Sequence, residues 1–443
     1  MPGDDNLSHI PGPPVPPFIG HTLAIVKDAY GTQQEYLRRY GDVYKVKTLG
    51  VWRVNLCGPE AMERVLLDRD QTFSSTGGWD LISRLFSGGL MLQDFDEHRQ
   101  NRRIMQSAFR VQALQDYMDR MQVALAELID AWPKGKSFDI YPAIKELTLR
   151  LGCAVFMGLP VDSPLARDLN AAFTAEIRAA MSIVRNPIPF TPMWRGVRGR
   201  AFLRRTFQEL VPQRRARPGS DFFSQMCIAK DEQGAGWSDD EIIDQFNFLM
   251  MAAHDTTATA LTAMIWAVGA HPEWQDVLAE EIQSLGSAPF DYADLAKMSQ
   301  TEQVLKEALR LIPPVPFIPR RVIKDFEWKG YTIPVGTEIS LNPGVSMMST
   351  EIFTDPHRFD PGRFSSNRAE DKAHPFAWAP FGGGAHKCIG MHFSTMQIKL
   401  LILTLFRKHR VTLVRSADQD WQRLPIPRPK GGLPIKLTSL PKY

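Results

Sequence analysis

The sequence predicts a mainly α protein with small β-sheets, an α+β class, and three observations carry that expectation. Apolar residues recur at three- and four-residue intervals through most of the chain from Pro59 to about Leu311. Alternation of apolar and polar residues is confined to one early stretch, Val43 to Leu56, and to short runs after Pro313-Pro314. One long apolar segment starts at the acidic run Ser238 to Glu241 and continues until Gly269 and Pro272 stop it.

Taken in order, residues 1–20 hold most of "HIPGPPVPPFIGHT", too proline-rich for a helix or a central strand, and are expected as an extended surface tail. Residues 21–443 are expected to form a single domain, because no polar linker or internal repeat offers a boundary. "GDVYKVKTLGVWRVNLCG" reads as a hairpin from Val43 to Leu56 that turns at Gly50. "PEAMERVLLD", the segment from Asp96 to Phe109 and "VQALQDYMDRMQVALAELIDAW" read as amphipathic helices. Ser238 and Glu241 have the spacing of a capping box, and the helix they open runs for roughly thirty residues, about 45 Å of rod. "FEWKGYTIPVGTEISLN" reads as short strands parted by Gly and Pro, and a last helix is expected from about Cys388 to Lys408.

With 443 residues, 44% of them hydrophobic, the chain can bury a large core. A net charge of +3 gives no general case for nucleic-acid or membrane binding, although "RKHR", Arg407 to Arg410, could dock an acidic partner or simply be a solvated face. Four cysteines without repeated spacing, and no secretory signal, point to reduced thiols in the cytoplasm. No apolar run approaches the roughly 18 residues a bilayer requires, since "ALTAMIWAVGA" ends at His271-Pro272, so no transmembrane anchor is expected.

Two stretches carry chemistry. Inside the long helix, "AAHDTTATA" sets Asp255, Thr256, Thr257 and Thr259 among Leu, Met, Ile and Trp. Buried polar groups require partners. Either the threonines bond back to carbonyls one turn earlier and Asp255 meets a base, or the helix opens locally around an acid next to an alcohol, a proton-delivery pair.

The second stretch is "FGGGAHKCIG", Phe381 to Gly390. A buried structural Cys388 would need no glycines, and a nucleophile would need a base, for which His386 and His392 are the candidates close in sequence. Zinc would call for a second nearby cysteine. An axial thiolate ligand to haem iron uses every feature: a helix N-terminus that favours the charge, and glycines that turn backbone N–H groups toward the sulfur.

At this point the chain resembles the cytochrome P-450 haem-thiolate monooxygenases. The family loop is met by Phe381, Gly384, His386, Cys388 and Gly390, and the other motifs follow in the family's order over nearly the whole chain. The resemblance implies a fold with a long central helix crossing the domain and haem b, iron protoporphyrin IX, between that helix and the cysteine loop. It makes Cys388 the iron ligand, lines the cofactor with Phe381, Gly382, His386, Gly390, Ala252 and Thr256, and pairs propionates with His98, Arg102 and Arg320. Asp255 and Thr256 become the acid and alcohol that supply protons while O₂ is reduced. Glu307 and Arg310 of "KEALR", with Arg363 of "FDPGRF", become the core cluster behind the loop. Ala253 stands where glycine is usual, which suggests altered coupling, and His386 stands where arginine is more frequent.

The resemblance further implies insertion of one oxygen atom from O₂ into a C–H bond. Electrons would come from NAD(P)H through an external ferredoxin and reductase, steered by Arg99, Arg103, Lys387 and "RKHR". An apolar, acid-poor pocket suits a lipophilic substrate, with Trp79, Phe86, Ala252 and Phe317 as wall residues, and "PFTPMWRGVRGR" resembles the sterol, retinoid and terpenoid hydroxylase branch. A peroxide-using fatty-acid hydroxylase and a non-catalytic haem sensor or lipid carrier are the rival readings.

Overall fold

The computed structural model describes residues 4–180, 182, 184–286, 289–415 and 417–440. Its helices of nine residues or more are α1 (Ala29–Tyr40), α2 (Pro59–Leu67), α3 (Phe95–Gln106), α4 (Val111–Asp130), α5 (Ile140–Met157), α6 (Pro164–Ala180), α7 (Pro192–Ala216), α8 (Asp239–Ala270), α9 (Pro272–Ser284), α10 (Ser299–Leu311) and α11 (Met391–Lys408). The chain is mainly α with small sheets, as the periodicity predicts. It divides into two compact units.

The first unit comprises Met1–Asp80, Gln303–Cys388 and Asp420–Lys430. Strands β1 (Val43–Thr48) and β2 (Val51–Leu56) form the expected hairpin, in register from Val43↔Leu56 to Thr48↔Val51. β2 pairs in parallel with a strand at Glu338–Leu341, which pairs antiparallel with Ile318–Val322, and the two-residue strand Phe73–Ser74 closes the sheet of five. Val54, Leu56, Phe73, Val322, Ile339 and Leu341 bury one sheet face against Met62 and Val65 of α2. Each fully buried side chain of this kind contributes about 1.5–3 kcal/mol of transfer free energy. The N-terminal tail is tied into the same core: Leu7 and Ile10 are buried, and Lys45 N donates to Pro11 O at 2.8 Å.

The second unit comprises Leu81–Glu302, Ile389–Gln419 and Gly431–Tyr443. Its axis is α8, thirty-two residues long, or about 48 Å at 1.5 Å per residue. The expected capping box is present: Ser238 Oγ accepts from Glu241 N, and Glu241 Oε2 accepts from Ser238 N. Apolar residues cover nearly the whole circumference of α8, which therefore packs against α5, α7 and α11 rather than presenting a solvent face. Contrary to the expectation that no apolar run approaches 18 residues, Gly384–Lys408 is apolar and long enough by composition to cross a membrane, but 61% of its 18-residue apolar window is buried inside the protein as core.

One boundary differs from expectation. The last helix begins at Met391, not Cys388, because Gly390 adopts φ −84°, ψ 10° as its cap and the chain before it makes a tight 3-10 turn over Gly384–His386. Cys388 stands just outside the helix N-terminus.

Candidate active site

The cysteine loop is shaped by what its glycines touch. Gly382 and Gly384 take φ of +67° and +60°, in the left-handed region that glycine adopts without a Cβ penalty. A Cβ on Gly384 would lie 1.8 Å from Leu66 O on α2, and one on Gly383 would lie 2.3 Å from the Phe376 ring. At Gly382 and Gly390 nothing lies within 4 Å of that position. One side of the loop is therefore pressed on the protein while the other is open. Cys388 N donates to Phe381 O at 2.9 Å, closing the loop, and Trp378 packs edge-on to Phe381.

Cys388 is exposed, whereas Cys57, Cys153 and Cys227 are buried and their thiols are pushed up to about 12 by that burial. A thiol held in the open beside a helix N-terminus suits a thiolate; three buried ones are inert. The exposed Cys388 and the open space at Gly382 fit a loop that would hold a haem iron by a thiolate.

Behind the loop the structure brings Glu307, Arg310 and Arg363 together, all fully buried. Arg310 donates to both Glu307 oxygens, Nε to Oε2 at 2.7 Å and Nη2 to Oε1 at 2.9 Å, and Arg363 Nε donates to Oε1 at 3.2 Å. Sequence reasoning missed the fourth member, Glu370, whose Oε2 accepts from Arg363 Nη1 at 2.7 Å and balances the second guanidinium. Nothing local in the sequence marks Glu370 among the acids of that loop.

In the second unit, α8 is buried along its middle except at Met251, Ala252, Ala253 and Thr256, which are half-buried. Ala252 and Thr256 are one turn apart, so small groups leave an open strip on one helix face. The local opening of the helix is not observed. α8 is continuous through the notch: Thr256 Oγ1 donates to Ala252 O at 2.6 Å, and Thr262 Oγ1 likewise to Ala258 O at 2.7 Å, which satisfies the hydroxyls without breaking the helical ladder. Asp255 meets a base, Lys145 of α5, with Nζ 2.7 Å from Oδ1. His254 beside it reaches Thr148 of α5. Lys145 and Thr148 were not picked out from the sequence; the one signal was their spacing of three on an apolar helix.

The methyl of Ala253, expected in an oxygen groove, lines a small cavity in this unit with Thr148, Gly152, Phe156, Phe393 and Gln397.

His98 is 2% exposed on α3, with half-buried Arg102 one turn further along the same face, so His98 is no surface histidine. Arg320 is buried in the strand Ile318–Val322, where its Nη1 donates to Pro319 O. His386 is half-buried in the cysteine loop. Trp79 is half-buried, Phe86 fully buried, and Phe317 lines a narrow cavity with Tyr30, Pro316 and Arg423.

The basic cluster "RKHR" is not a loose positive patch. Lys408 pairs with Asp130 at 2.8 Å, Arg410 with Asp276 at 2.6 Å, Arg407 caps Gly286 O, and His409 is buried. Arg99 pairs with Asp96 at 2.6 Å; Arg103 and Lys387 are exposed.

A family model described as Cytochrome P-450 matches residues 10–436. Cytochrome P-450 136 of Mycobacterium tuberculosis is 36% identical over 95% of this chain and 87% of its own length. The pentalenene oxygenase of Streptomyces avermitilis is 30% identical over 91% of each chain. Among solved structures, the retinoic-acid-bound cyanobacterial CYP120A1 matches with a TM-score of 0.88 at 28% identity, covering 97% of this chain and 99% of that one.

Proposed function

The chain belongs to the cytochrome P-450 family, and on that premise we propose that it oxygenates a lipophilic substrate of the terpenoid, retinoid or steroid class with electrons from an external ferredoxin and reductase, ultimately from NAD(P)H. The monooxygenase activity is that of the family. The observation that carries the assignment of its centre is Cys388, the exposed thiol of the chain, on a loop whose glycines leave one face open.

Haem, when bound, supplies the activation of O₂ and the oxidation of the C–H bond. In this reading Cys388 holds the iron as a thiolate, its charge favoured by the N-terminus of α11, and Phe381 shields the sulfur. His98, Arg102, Arg320 and His386 offer cationic or N–H partners to the propionates. Asp255 and Thr256 are the acid and the alcohol of α8, and Thr256 presents its hydroxyl on the open strip, where the small Ala252 leaves room. Glu307, Arg310 and Arg363 keep the chain behind the loop rigid. Trp79, Phe86 and Phe317 contribute apolar wall.

The substrate class is supported by two named relatives, a pentalenene oxygenase and a P-450 solved with retinoic acid. Arg103 and Lys387 remain as exposed cations for an acidic donor, whereas the ion pairs of "RKHR" weaken that cluster's claim. The acid next to an alcohol speaks for O₂ reduction and against a peroxide-only enzyme or a passive haem carrier.

The test is a spectral titration of the purified holoenzyme with terpenoids, retinoids, steroids and fatty acids. Binding of a compound of the first three classes should shift the Soret band, and that compound should be oxygenated with ferredoxin, reductase and NAD(P)H. Response to fatty acids alone, with turnover by peroxide alone, would overturn the proposal.

A further inference from the structure

A narrow cavity in the first unit carries two polar side chains that the reading above does not use, Gln33 and Arg423. Gln33 stands on α1. Arg423 opens the turn of a small hairpin in which Trp421–Gln422 pairs with Arg428–Pro429. Pro316 and Phe317, from the chain that follows α10, make an apolar side of the same cavity. Phe317 is the residue expected from the sequence as a wall of the substrate pocket, and three residues later stands Arg320, read above as a propionate partner.

Arg423 is short of acceptors. Half-buried, it donates from Nη1 to Leu311 O at 2.7 Å, and its guanidinium lies over the Tyr30 ring, 4.9 Å from the centroid. Among the described residues it makes no ion pair, and Nε and Nη2 have no acceptor. Burial presses on its charge, opposed by Tyr30, Asp28 and Asp420. Those two carboxylates are engaged elsewhere, Asp420 by Lys430 Nζ at 2.7 Å and Asp28 by the Gly31 N–H at 2.9 Å. Arginine keeps its charge under such conditions, and a guanidinium against apolar walls is costly until an anion faces it. Gln33 is in a similar position: it is 5% exposed, yet its amide hydrogen-bonds to no described residue. Buried amides without a protein partner are uncommon, and neither side chain is sealed off from the cavity it lines.

We propose that Arg423 and Gln33 are specificity-determining residues that take the carboxylate of a lipophilic acid, while Pro316 and Phe317 cover the first carbons beyond it. With Nη1 committed to Leu311, the edge left to Arg423 is Nε and Nη2, and a flat carboxylate matches that edge with two parallel hydrogen bonds. Gln33 Nε2 adds a neutral donor. An alcohol or ester offers an acceptor but no charge, and leaves the guanidinium without a counterion. Binding involves no covalent step. The inference rests on the reading of the chain as an oxygenase of a lipophilic substrate, and narrows that substrate to one bearing an acid group.

The test titrates the holoenzyme, followed by the Soret band, with a diterpene acid, a retinoid acid, and the methyl ester and primary alcohol of each. The native protein should bind one of the acids roughly tenfold or more tighter than its own ester, the increment expected of hydrogen bonds to a charged group. Arg423→Gln should bind that acid and its ester alike. Gln33→Leu breaks no protein hydrogen bond, which keeps the test open if Arg423→Gln folds poorly, and it should narrow the preference. Sodium acetate should compete with the acid and not with the ester. Acetate binding without any preference for acid over ester marks an adventitious anion only and overturns the inference. A preference retained in Arg423→Gln and Gln33→Leu, or an equal loss of acid and ester in both, overturns it as well, while binding of the esters and alcohols leaves the reading beneath it intact. Response to none of these compounds overturns that reading.

Discussion

At the scale of single residues, the first and last of three consecutive glycines play different parts. Gly382 and Gly384 share the left-handed backbone, but Gly382 has open space where a Cβ would be and Gly384 has Leu66 O at 1.8 Å. Gly382→Ala therefore meets only the conformational cost, about 1–2 kcal/mol. Gly384→Ala must also push the loop off α2, and should lose roughly 3 kcal/mol or more with the mechanism of a strained, overpacked site. Thermal melting, together with the carbon monoxide spectrum of the reduced protein, separates the two: Gly384→Ala should melt lower and lose the spectrum of a thiolate-ligated haem, while Gly382→Ala keeps it. Equal damage at both positions would refute the ranking. The sequence displayed the run of glycines but could not rank them, since the carbonyl that decides the matter lies on a helix remote in sequence.

Elements were legible where their cause is local. The β1–β2 hairpin follows from alternation around Gly50, and the start of α8 from the capping box at Ser238 and Glu241. What the sequence left open was the choice between readings that a remote neighbour decides. The notch in α8 does not open, because Thr256 finds Ala252 O within its own helix and Asp255 finds Lys145, which no periodicity ties to residue 255. Ala253 is the same kind of case. Its methyl lines the cavity with Phe156 of α5 and Phe393 of α11. Ala253→Gly should then cost about 1 kcal/mol, the price of glycine in a helix interior, and leave peroxide leakage unchanged. Melting curves and peroxide assays on the two proteins check both halves; a fall in leakage would return the methyl to the oxygen's path.

At the scale of the whole molecule, an ion cluster holds the first unit's irregular segment to α10. Arg310 and Arg363 carry, besides Glu307, the carbonyls of Met347, Pro356 and Thr354, and Glu307 Oε1 accepts from Asp360 N, so one buried carboxylate organises the chain from about 347 to 363. The Glu-x-x-Arg spacing made half of this visible beforehand; Glu370 and the carbonyls were invisible because irregular chain has no period to read. Glu307 is fully buried between two guanidinium groups and is the carboxylate partner of Arg310, so Glu307→Gln strands that charge while Arg363 keeps Glu370, and should destabilise by about 3–5 kcal/mol. Glu370 lies nearer solvent. Burial opposes its ionisation, but hydrogen bonds from Arg368 and Arg363 and from Thr354 N outweigh that and draw its carboxyl below the usual value of 4.5. A carboxyl lowered on folding stabilises above its unfolded value, and that contribution disappears as pH falls through the folded one. Glu370→Gln should therefore be less stable than the native protein at neutral pH, by less than Glu307→Gln, and the gap should narrow as pH drops below 4.5. Urea midpoints measured from neutral pH down to the acid limit give the curve, and a gap that stays constant or widens toward acid would show that Glu370 carries no part of the cluster's charge balance.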